Sequence, residues 1–254
     1  GGNVAVGYDA NRSLTTGYNN VSVGVNAAYA MTTGLYNVAL GANALYANTT
    51  ASYNSAFGYL ALSANTTGAN NVAVGGLSLD ANTTGDQNVA VGTSALGALT
   101  AGDKNVAIGN STLSQFNVTD GSETFNTAVG YAAGGAVTTG IQNTLIGGLA
   151  GDALTDADKN VAVGRSALTS DTLGSMSTAI GYSALDSQNF TSATNSRNTA
   201  VGHTAGLSST TAVDNTLIGE QAGYYITTGS QNTILGRFSG NQGGLDIRTS
   251  SNNI

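Results

Sequence analysis

One five-residue phrase occurs fourteen times, with substitutions, along this chain of 254 residues, and its first copy is N-V-A-V-G at residues 3–7. Eleven of the thirteen intervals between successive copies are 17 residues long, and the other two are 21. A period this short and regular indicates a solenoid, in which each repeat forms one coil that stacks on the preceding coil. Each copy ends in a glycine, which serves below as position 0 of its coil; the fourteen are Gly7, Gly24, Gly41, Gly58, Gly75, Gly92, Gly109, Gly130, Gly147, Gly164, Gly181, Gly202, Gly219 and Gly236.

The composition agrees with stacked coils. Charged residues make up 8% of the chain and apolar residues 41%, whereas disordered chains combine high charge with low hydrophobicity. Equivalent residues of adjacent coils lie about 4.8 Å apart, so a column of like charges would repel itself at every step. The chain has no proline, which suits a sheet in which each backbone N–H must bond to a neighbouring coil.

The composition also limits the partners and cofactors. A net charge of −7 argues against nucleic acid, which favours basic surfaces. No uninterrupted apolar stretch approaches the length of a transmembrane helix, so we expect no membrane insertion. Because there is no cysteine, disulfides and thiolate metal sites are excluded, and we expect no cofactor.

The three residues before position 0 predict a short β-strand with two apolar faces. Position −1 is Val, Ile, Leu or Phe in all fourteen coils, which predicts that it lines the inside of the coil. Position −2 points the other way and is alanine in ten coils. Small residues permit close approach, so we expect this column to pack against sister subunits of a homotrimer. The predicted interface alanines are Ala5, Ala39, Ala56, Ala73, Ala90, Ala107, Ala128, Ala162, Ala179 and Ala200.

Other columns complete the predicted coil. Position −4 is asparagine in thirteen coils, with Ser177 as the exception, and a column of amides can hydrogen-bond along the stack. The glycine at position 0 suits a corner that needs positive φ or close backbone approach. A recurrent T-T-G segment predicts a second short strand that ends in a turn. The predicted fold is an all-β, parallel β-solenoid (β-roll) of fourteen 17- to 21-residue coils, a single array over residues 1–254 that belongs to a longer fibre protein.

The two coils with four extra residues predict candidate binding loops, because longer loops on a regular solenoid often carry binding residues. The alternative interpretation is that these loops swell the shaft or grip a neighbouring subunit through their phenylalanines, and the sequence leaves both open. The candidate binding residues are Phe116, Asp120, Glu123, Phe125, Asp186 and Phe190.

Catalytic and metal sites have weak support in the sequence. The single histidine, His203, lies at position +1, where Glu220 and Arg237 follow in the next two coils and favour a surface ladder of alternating charge over a catalytic role. Asp152, Asp156 and Asp158 lie close together, but the G-G-x-G-x-D-x-U-x run of calcium β-rolls is missing. We therefore predict no catalytic residue and no metal site.

The repeat phrase resembles two groups of fibrous proteins. Its N-x-A-[VI]-G core followed by a small residue is similar to the head repeats of trimeric autotransporter adhesins, which form parallel β-rolls in homotrimers, although those coils are shorter. The N-T-[AL]-[VI]-G…A-G…T-T-G pattern of residues 126–151 and 198–236 more closely resembles arrays of bacteriophage tail-fibre proteins. Such arrays often precede an intramolecular chaperone of the S74 peptidase type. Residues 245–254 resemble the end of such a repeat array.

These observations favour a structural and adhesive function over an enzymatic one. The leading hypothesis is a trimeric segment of a phage tail fibre, extracellular on the virion, that spaces or presents a host-binding surface. Its partners would be further copies of itself and a glycan or protein of the host cell surface. The main alternative is the head of a bacterial surface adhesin, located on the bacterial outer surface. Ice binding through threonine columns and glycan depolymerisation are weaker hypotheses.

Overall fold

The computed structural model of the protein describes residues 1–237 and residue 251. Residues 245–254 resemble the exit from a repeat array, and all of them except residue 251 lie outside the described residues. The described part is an all-β, parallel β-solenoid of about fourteen coils, which confirms the predicted fold class. Within it, no helix has the length and apolar character needed to cross a membrane. The chain divides into two compact units, Gly1–Asn126 and Thr127–Ile254.

The first unit contains seven parallel strands that pair in chain order. Their register joins equal repeat positions, so Ala39 pairs with Ala56 and Ala56 with Ala73. The 17-residue period therefore sets the pairing directly. The strands are β1 Val4–Val6, β2 Val21–Val23, β3 Val38–Leu40, β4 Ser55–Phe57, β5 Val72–Val74, β6 Val89–Val91 and β7 Val106–Ile108.

The second unit has the same arrangement with one addition, a pair of two-residue strands beside its long coil. Its strands are β8 Thr127–Val129, β9 Thr144–Ile146, β10 Val161–Val163, β11 Gly174–Ser175, β12 Thr178–Ile180, β13 Thr194–Asn195, β14 Thr199–Val201, β15 Thr216–Ile218 and β16 Thr233–Leu235.

The alanine column faces the interior of the coil, so the predicted orientation of the strand was wrong. All the predicted interface alanines except Ala5, which lies in the first coil, are fully buried within a single chain: Ala39, Ala56, Ala73, Ala90, Ala107, Ala128, Ala162, Ala179 and Ala200. Ala5 is exposed. The valines, leucines, isoleucines and Phe57 at position −1 point outward and are half-buried or exposed. The buried alanines therefore cannot form a subunit interface.

The reason is the small volume inside the coil. The alanine at −2 shares the interior with alanine at +3, such as Ala44, and with leucine at +4, such as Leu45. Position +7 adds further buried side chains, including Leu99 and Phe116. With these side chains inside, the strand can contribute only a small residue, and its larger residues face outward.

Each coil has one three-residue strand at the repeat phrase, and the predicted strand at T-T-G is absent from the described residues. Non-glycine residues recur in the left-handed region at −5, +2 and +4, as Asn70 (φ 59°), Leu60 (φ 56°) and Leu62 (φ 55°) illustrate. Left-handed residues interrupt extended backbone, so most of the coil consists of turns. Thr66 Oγ1 nevertheless donates to the Thr83 carbonyl oxygen (3.0 Å), and equivalent threonine bonds recur along the stack.

The glycine at position 0 forms a corner, as predicted. Gly58 has φ +141°, and a Cβ added there would lie 2.6 Å from the Gly75 carbonyl oxygen. Adjacent coils thus approach each other too closely for any side chain at this corner, and only glycine adopts this backbone conformation readily. The same close approach recurs at Gly41, Gly92 and Gly164.

The asparagines at −4 form a buried ladder, which confirms the predicted column of hydrogen bonds. The Asn54 Oδ1 atom accepts the backbone N–H of Asn71 (2.9 Å), and Asn54 Nδ2 donates to the Gly68 carbonyl oxygen (2.8 Å). A second, shorter ladder joins Asn48, Asn65 and Asn82 at position +7. Those three asparagines begin N-x-T sequons, yet all are fully buried, so the folded chain does not present them for glycosylation.

Candidate functional surfaces

The outward side of the strands is an apolar surface that we call the strand face, defined by the side chains at positions −3 and −1. Leu40, Phe57, Val74 and Ile108 at position −1 remain 36–39% exposed within their sheet. Position −3 is valine in most coils of the first unit and threonine in most coils of the second. Neither position carries a charged residue in any coil.

Two mixed columns lie next to the strand in the chain, at −5 and +1. At −5 the rings of Tyr36 and Tyr53 stack with their centroids 5.0 Å apart, and Arg197 pairs with Asp214 (2.6 Å). This hydrogen-bonded pair lowers the pKa of the Asp214 carboxyl. Both columns therefore combine aromatic residues with charges of either sign.

The first long coil, in the first unit, does not present all of its predicted binding residues. Phe116 is fully buried at position +7, so its assignment as a binding residue was wrong. Asp120 and Glu123 are exposed, and hydrogen bonds from Ser122 lower the pKa of Asp120. Phe125 is 47% exposed.

The Lys104 side chain contacts two residues of this coil. Lys104 forms an ion pair with Glu123, and its Nζ atom lies 5.4 Å from the centroid of the Phe125 ring. The neighbouring Asp103 forms an isolated parallel bridge with Glu123. The structure thus brings two of the predicted loop residues, Glu123 and Phe125, together around Lys104.

The second long coil, in the second unit, also differs from its prediction. Phe190 is only 6% exposed and belongs to the interior, where a Cβ added at Gly174 would lie 2.8 Å from its ring, so Phe190 was wrongly assigned as a binding residue. Asp186 is half-buried. The exposed tip consists of Thr191, Ser192 and Ala193, which sequence reasoning had not selected.

Beneath this loop lies a buried polar network that replaces one rung of the asparagine ladder. The Asp171 carboxylate accepts the backbone N–H groups of Gly174 and Phe190 (both 3.0 Å) and the Gln188 side-chain amide (2.5 Å). Gln188 also donates to the hydroxyl of Ser177 (2.9 Å), the one residue that departs from asparagine at −4. Every side chain in this network is inaccessible to solvent, so it stabilises the loop base and offers no ligand site.

His203 belongs to a surface stack. Its ring lies parallel to that of Tyr182 with centroids 5.3 Å apart, and the guanidinium of Arg165 lies 5.8 Å from the centroid of Tyr182 on that ring's face. The ion pair between Glu220 and Arg237 (3.1 Å) agrees with the predicted surface ladder. The Tyr182 partner was missed, although Tyr182 occupies the same column one coil earlier.

The three clustered aspartates Asp152, Asp156 and Asp158 point to separate neighbours. Asp152 accepts the hydroxyl of Thr169, Asp156 that of Thr139, and Asp158 the backbone N–H of Ile141. Each carboxylate thus bridges two coils. Across the part of the chain that the structure describes, no three His, Cys, Asp or Glu side chains are grouped so that they could hold a metal ion.

A shallow groove of about 380 Å³ opens on the first unit beside Tyr46. Tyr46 stacks on Tyr29 (centroids 5.1 Å apart), and the column continues with Ser63, which leaves the other side of Tyr46 without an aromatic neighbour in the next coil. The groove is lined by Asn43, Tyr46, Ala47, Leu60, Ser63 and Ala64.

Comparison of the chain with family models, with curated proteins and with solved structures finds no match. The geometry of these surfaces is therefore the basis for the functional argument. Sequence reasoning missed the strand face because both sides of the strand are apolar. The signal that could have found it was position +4, which is leucine in seven coils but glycine in the two coils that have leucine at −2, Leu145 with Gly151 and Leu217 with Gly223. This exchange of volume indicates that −2 and +4 share one interior.

Proposed function

We propose that this chain is a structural and adhesive shaft: a homotrimeric β-solenoid segment of an extracellular fibre, of the phage tail-fibre kind, that spaces or presents a host-binding surface. The observation that carries the proposal is the stacking of coils in a constant register, with an apolar residue at −1 on the outward face of the strand in each described coil. A repeated scaffold of this type supplies length and identical lateral surfaces.

A non-enzymatic role has further support in the arrangement of titratable groups. His203 stacks on Tyr182, and Asp152, Asp156 and Asp158 each bridge coils. Catalysis requires such groups to converge on a cleft where a substrate reaches them. The first threonine of T-T-G uses its hydroxyl to bond the next coil, which weighs against an ice-binding array at that column.

The assembly is tested by the mass of the purified protein in solution. Sedimentation equilibrium is expected to give about three times the chain mass of 25.1 kDa. A species of one chain at micromolar concentration would contradict the proposed fibre assembly.

The adhesive role is tested at the long coils, because their exposed tips differ from every 17-residue coil. Deleting residues 119–122 and 191–194 returns both coils to the regular length and is expected to abolish binding of labelled protein to host cells while the trimer persists. The matched control replaces exposed Thr16, Thr50 and Thr84 with glutamate. Undiminished binding by the deletion variant would assign attachment to another surface.

A bacterial adhesin head is the second candidate, favoured by the N-x-A-[VI]-G core of the repeat. The sequences that flank the array in the full-length protein separate the two. A following chaperone domain supports the phage fibre, whereas a coiled-coil stalk with a membrane anchor supports the adhesin.

A further inference from the structure

We infer that the strand face, and not the alanine column, is the surface through which copies of this chain pack against one another. The inference rests on the proposed fibre assembly, and it assigns the residues that hold that assembly together. It commits to further copies of the same chain as the occupant of the face.

The first argument is the uncovered side of a parallel sheet. Parallel sheets are nearly always covered on both faces. In each unit the inner face is covered by the chain's own alanines and leucines at +3 and +4. The outer face has no such cover, and Leu40, Phe57, Val74 and Ile108 stay more than a third exposed.

The second argument is the size of the face. A three-residue strand is about 10 Å long and strands are about 4.8 Å apart, so each coil contributes on the order of 50 Å². Seven coils then give roughly 350 Å² in each unit. Each unit therefore supplies close to half of the ~800 Å² that each partner buries in a stable interface, and this area lies in the range of about 300–600 Å² of the largest patch on a typical monomer, which often marks an interaction site.

The third argument is the distribution of polar residues around the face. Protein interfaces combine a core depleted of charge with a polar rim, and tyrosine and arginine are frequent in interfaces. The strand face has no charge at −3 or −1, whereas the adjoining columns contain tyrosines and charges of both signs. These rim residues include Tyr36, Tyr53, Lys104, Lys159, Arg197 and Asp214 at −5 and Tyr59, Tyr131, Arg165, Tyr182, Glu220 and Arg237 at +1.

The repeat itself identifies the occupant as another copy. A face that recurs at one coil spacing is matched at every coil only by a partner with the same spacing, and a parallel copy of this chain has it by construction. A contact of −3 on one copy with −1 on the next is heterologous, and such contacts close into a ring around a common axis when the rotation between copies is a whole fraction of a turn. Three copies arranged in this way would leave no strand face exposed to water.

The experiment introduces charge into the face in alternate coils of the first unit. The variant Leu40→Glu/Val74→Glu/Ile108→Glu places one carboxylate at position −1 in every second coil, so that the new charges are not adjacent to one another. The matched control is Thr16→Glu/Thr50→Glu/Thr84→Glu at the exposed position +9, where Asp156 occurs naturally. Both variants add the same charge at the same spacing.

The expected result is that the control sediments like the unaltered protein, whereas the strand-face variant sediments as single chains with an unchanged circular-dichroism spectrum. A strand-face variant that keeps the unaltered mass would overturn the assignment of the interface and leave the proposed assembly intact. An unaltered protein that is itself a single chain would overturn both.

A milder variant covers the case in which the charged variant does not fold. Threonine is β-branched and favours strands, and it occurs naturally on the same outward face at −3 of the second unit. Leu40→Thr/Val74→Thr/Ile108→Thr at −1 should therefore fold and raise the dissociation constant of the assembly at least tenfold. An unchanged dissociation constant would overturn the inference.

Solvent protection gives an independent readout. The chain has no cysteine, so Val74→Cys and the control Thr84→Cys each introduce a single thiol. In the assembled protein, maleimide should react with the cysteine at position 74 at least tenfold more slowly than with that at position 84, and dilution to single chains should remove most of the difference. Equal rates in the assembled protein would overturn the inference.

Discussion

The first unit and two coils of the second unit fill the interior of the coil from opposite sides. In the first unit the turn supplies leucine at +4, such as Leu45, and the strand supplies alanine, such as Ala39. In the second unit two coils reverse this choice. Leu145 on the strand faces Gly151 in the turn, where an added Cβ would lie 2.8 Å from the Leu145 side chain, and Leu217 faces Gly223 in the same way. The coil therefore maintains a volume and not a particular residue at either position.

The largest expected loss of stability comes from changing Leu145 or Gly151 alone, because each change alters the volume that fills the coil. Leu145→Ala should leave a cavity and destabilise the second unit by about 2–5 kcal/mol. Gly151→Leu should overpack the same space and cost about 1–3 kcal/mol. The double variant Leu145→Ala/Gly151→Leu recreates the arrangement of the first unit and should return to within about 1.5 kcal/mol of the unaltered protein.

Denaturant unfolding of the two single variants and the double variant provides the measurement. If the two sites are coupled, the double variant loses less stability than the sum of the losses of the two single variants. The left-handed backbone at +4 should accept the new leucine, because Leu45 has φ 53° and Gly151 has φ 56°. Additive losses would show that the two positions do not share one space.

The asparagine ladder should give the next largest effect, and it also differs between the units. Asn54→Ala removes the acceptor for the Asn71 N–H and the donor to the Gly68 carbonyl. The buried Asn71 N–H then lacks a partner, whereas the Gly68 carbonyl oxygen keeps its bond from Asn65 Nδ2 (2.9 Å), so the change should cost about 1–3 kcal/mol in unfolding free energy. Asn110→Ala, at an exposed position, is the control and should change stability by less than about 0.5 kcal/mol.

Ser177→Asn sharpens this comparison in the second unit. It restores the regular residue, yet Gln188 already lies 2.9 Å from the Ser177 hydroxyl, so the larger amide should crowd the buried network and destabilise the coil. A gain in melting temperature would contradict this explanation of why Ser177 replaces asparagine.

The threonine column should respond equally in both units. Thr66 Oγ1 and Thr155 Oγ1 each donate to the carbonyl of the next coil at 3.0 Å, and both residues are half-buried. Thr66→Val and Thr155→Val should each cost about 1 kcal/mol, as measured by denaturant unfolding. A clear difference between the two would mean that the units differ in more than their core.

The smallest expected effect is the pH dependence of stability that Asp103 gives to the first unit. Burial raises the pKa of Asp103, whose Oδ1 atom accepts the Asp86 backbone N–H (2.7 Å). A raised pKa means that the folded state binds the proton more tightly than the unfolded state, so stability falls as pH rises through the folded pKa. Asp103→Asn keeps the acceptor atom and should therefore be slightly more stable than the unaltered protein at pH 7.

The melting temperatures of the two proteins should converge as the pH is lowered toward the unfolded pKa of about 3.9, because the aspartate is then protonated in both states. Asp158→Asn is a matched substitution in the second unit, since Asp158 accepts an equivalent inter-coil bond from Ile141. A difference that grows toward acid pH at Asp103 would contradict the sign of the shift.

The sequence predicted where the long coils and the surface columns lie along the chain. It did not predict which side chains of the long coils are buried. The long coils and the column of His203, Glu220 and Arg237 follow from counting residues. The burial of Phe116 and Phe190 does not, because a four-residue insertion leaves open which of its side chains turns inward. The exposed tip at Thr191, Ser192 and Ala193 has no distinctive chemistry that a sequence pattern would mark.

The sequence by itself determined the number of coils, the parallel register, the glycine corner and the asparagine ladder. Each of these follows from the period, because equal positions of successive repeats must lie above one another. Only the tertiary structure decided which side of the strand faces inward. Val38, Ala39 and Leu40 give the strand two apolar faces, so the residue pattern does not show which face is buried. The buried face is decided by the volume that Leu45 and its equivalents leave free inside the coil.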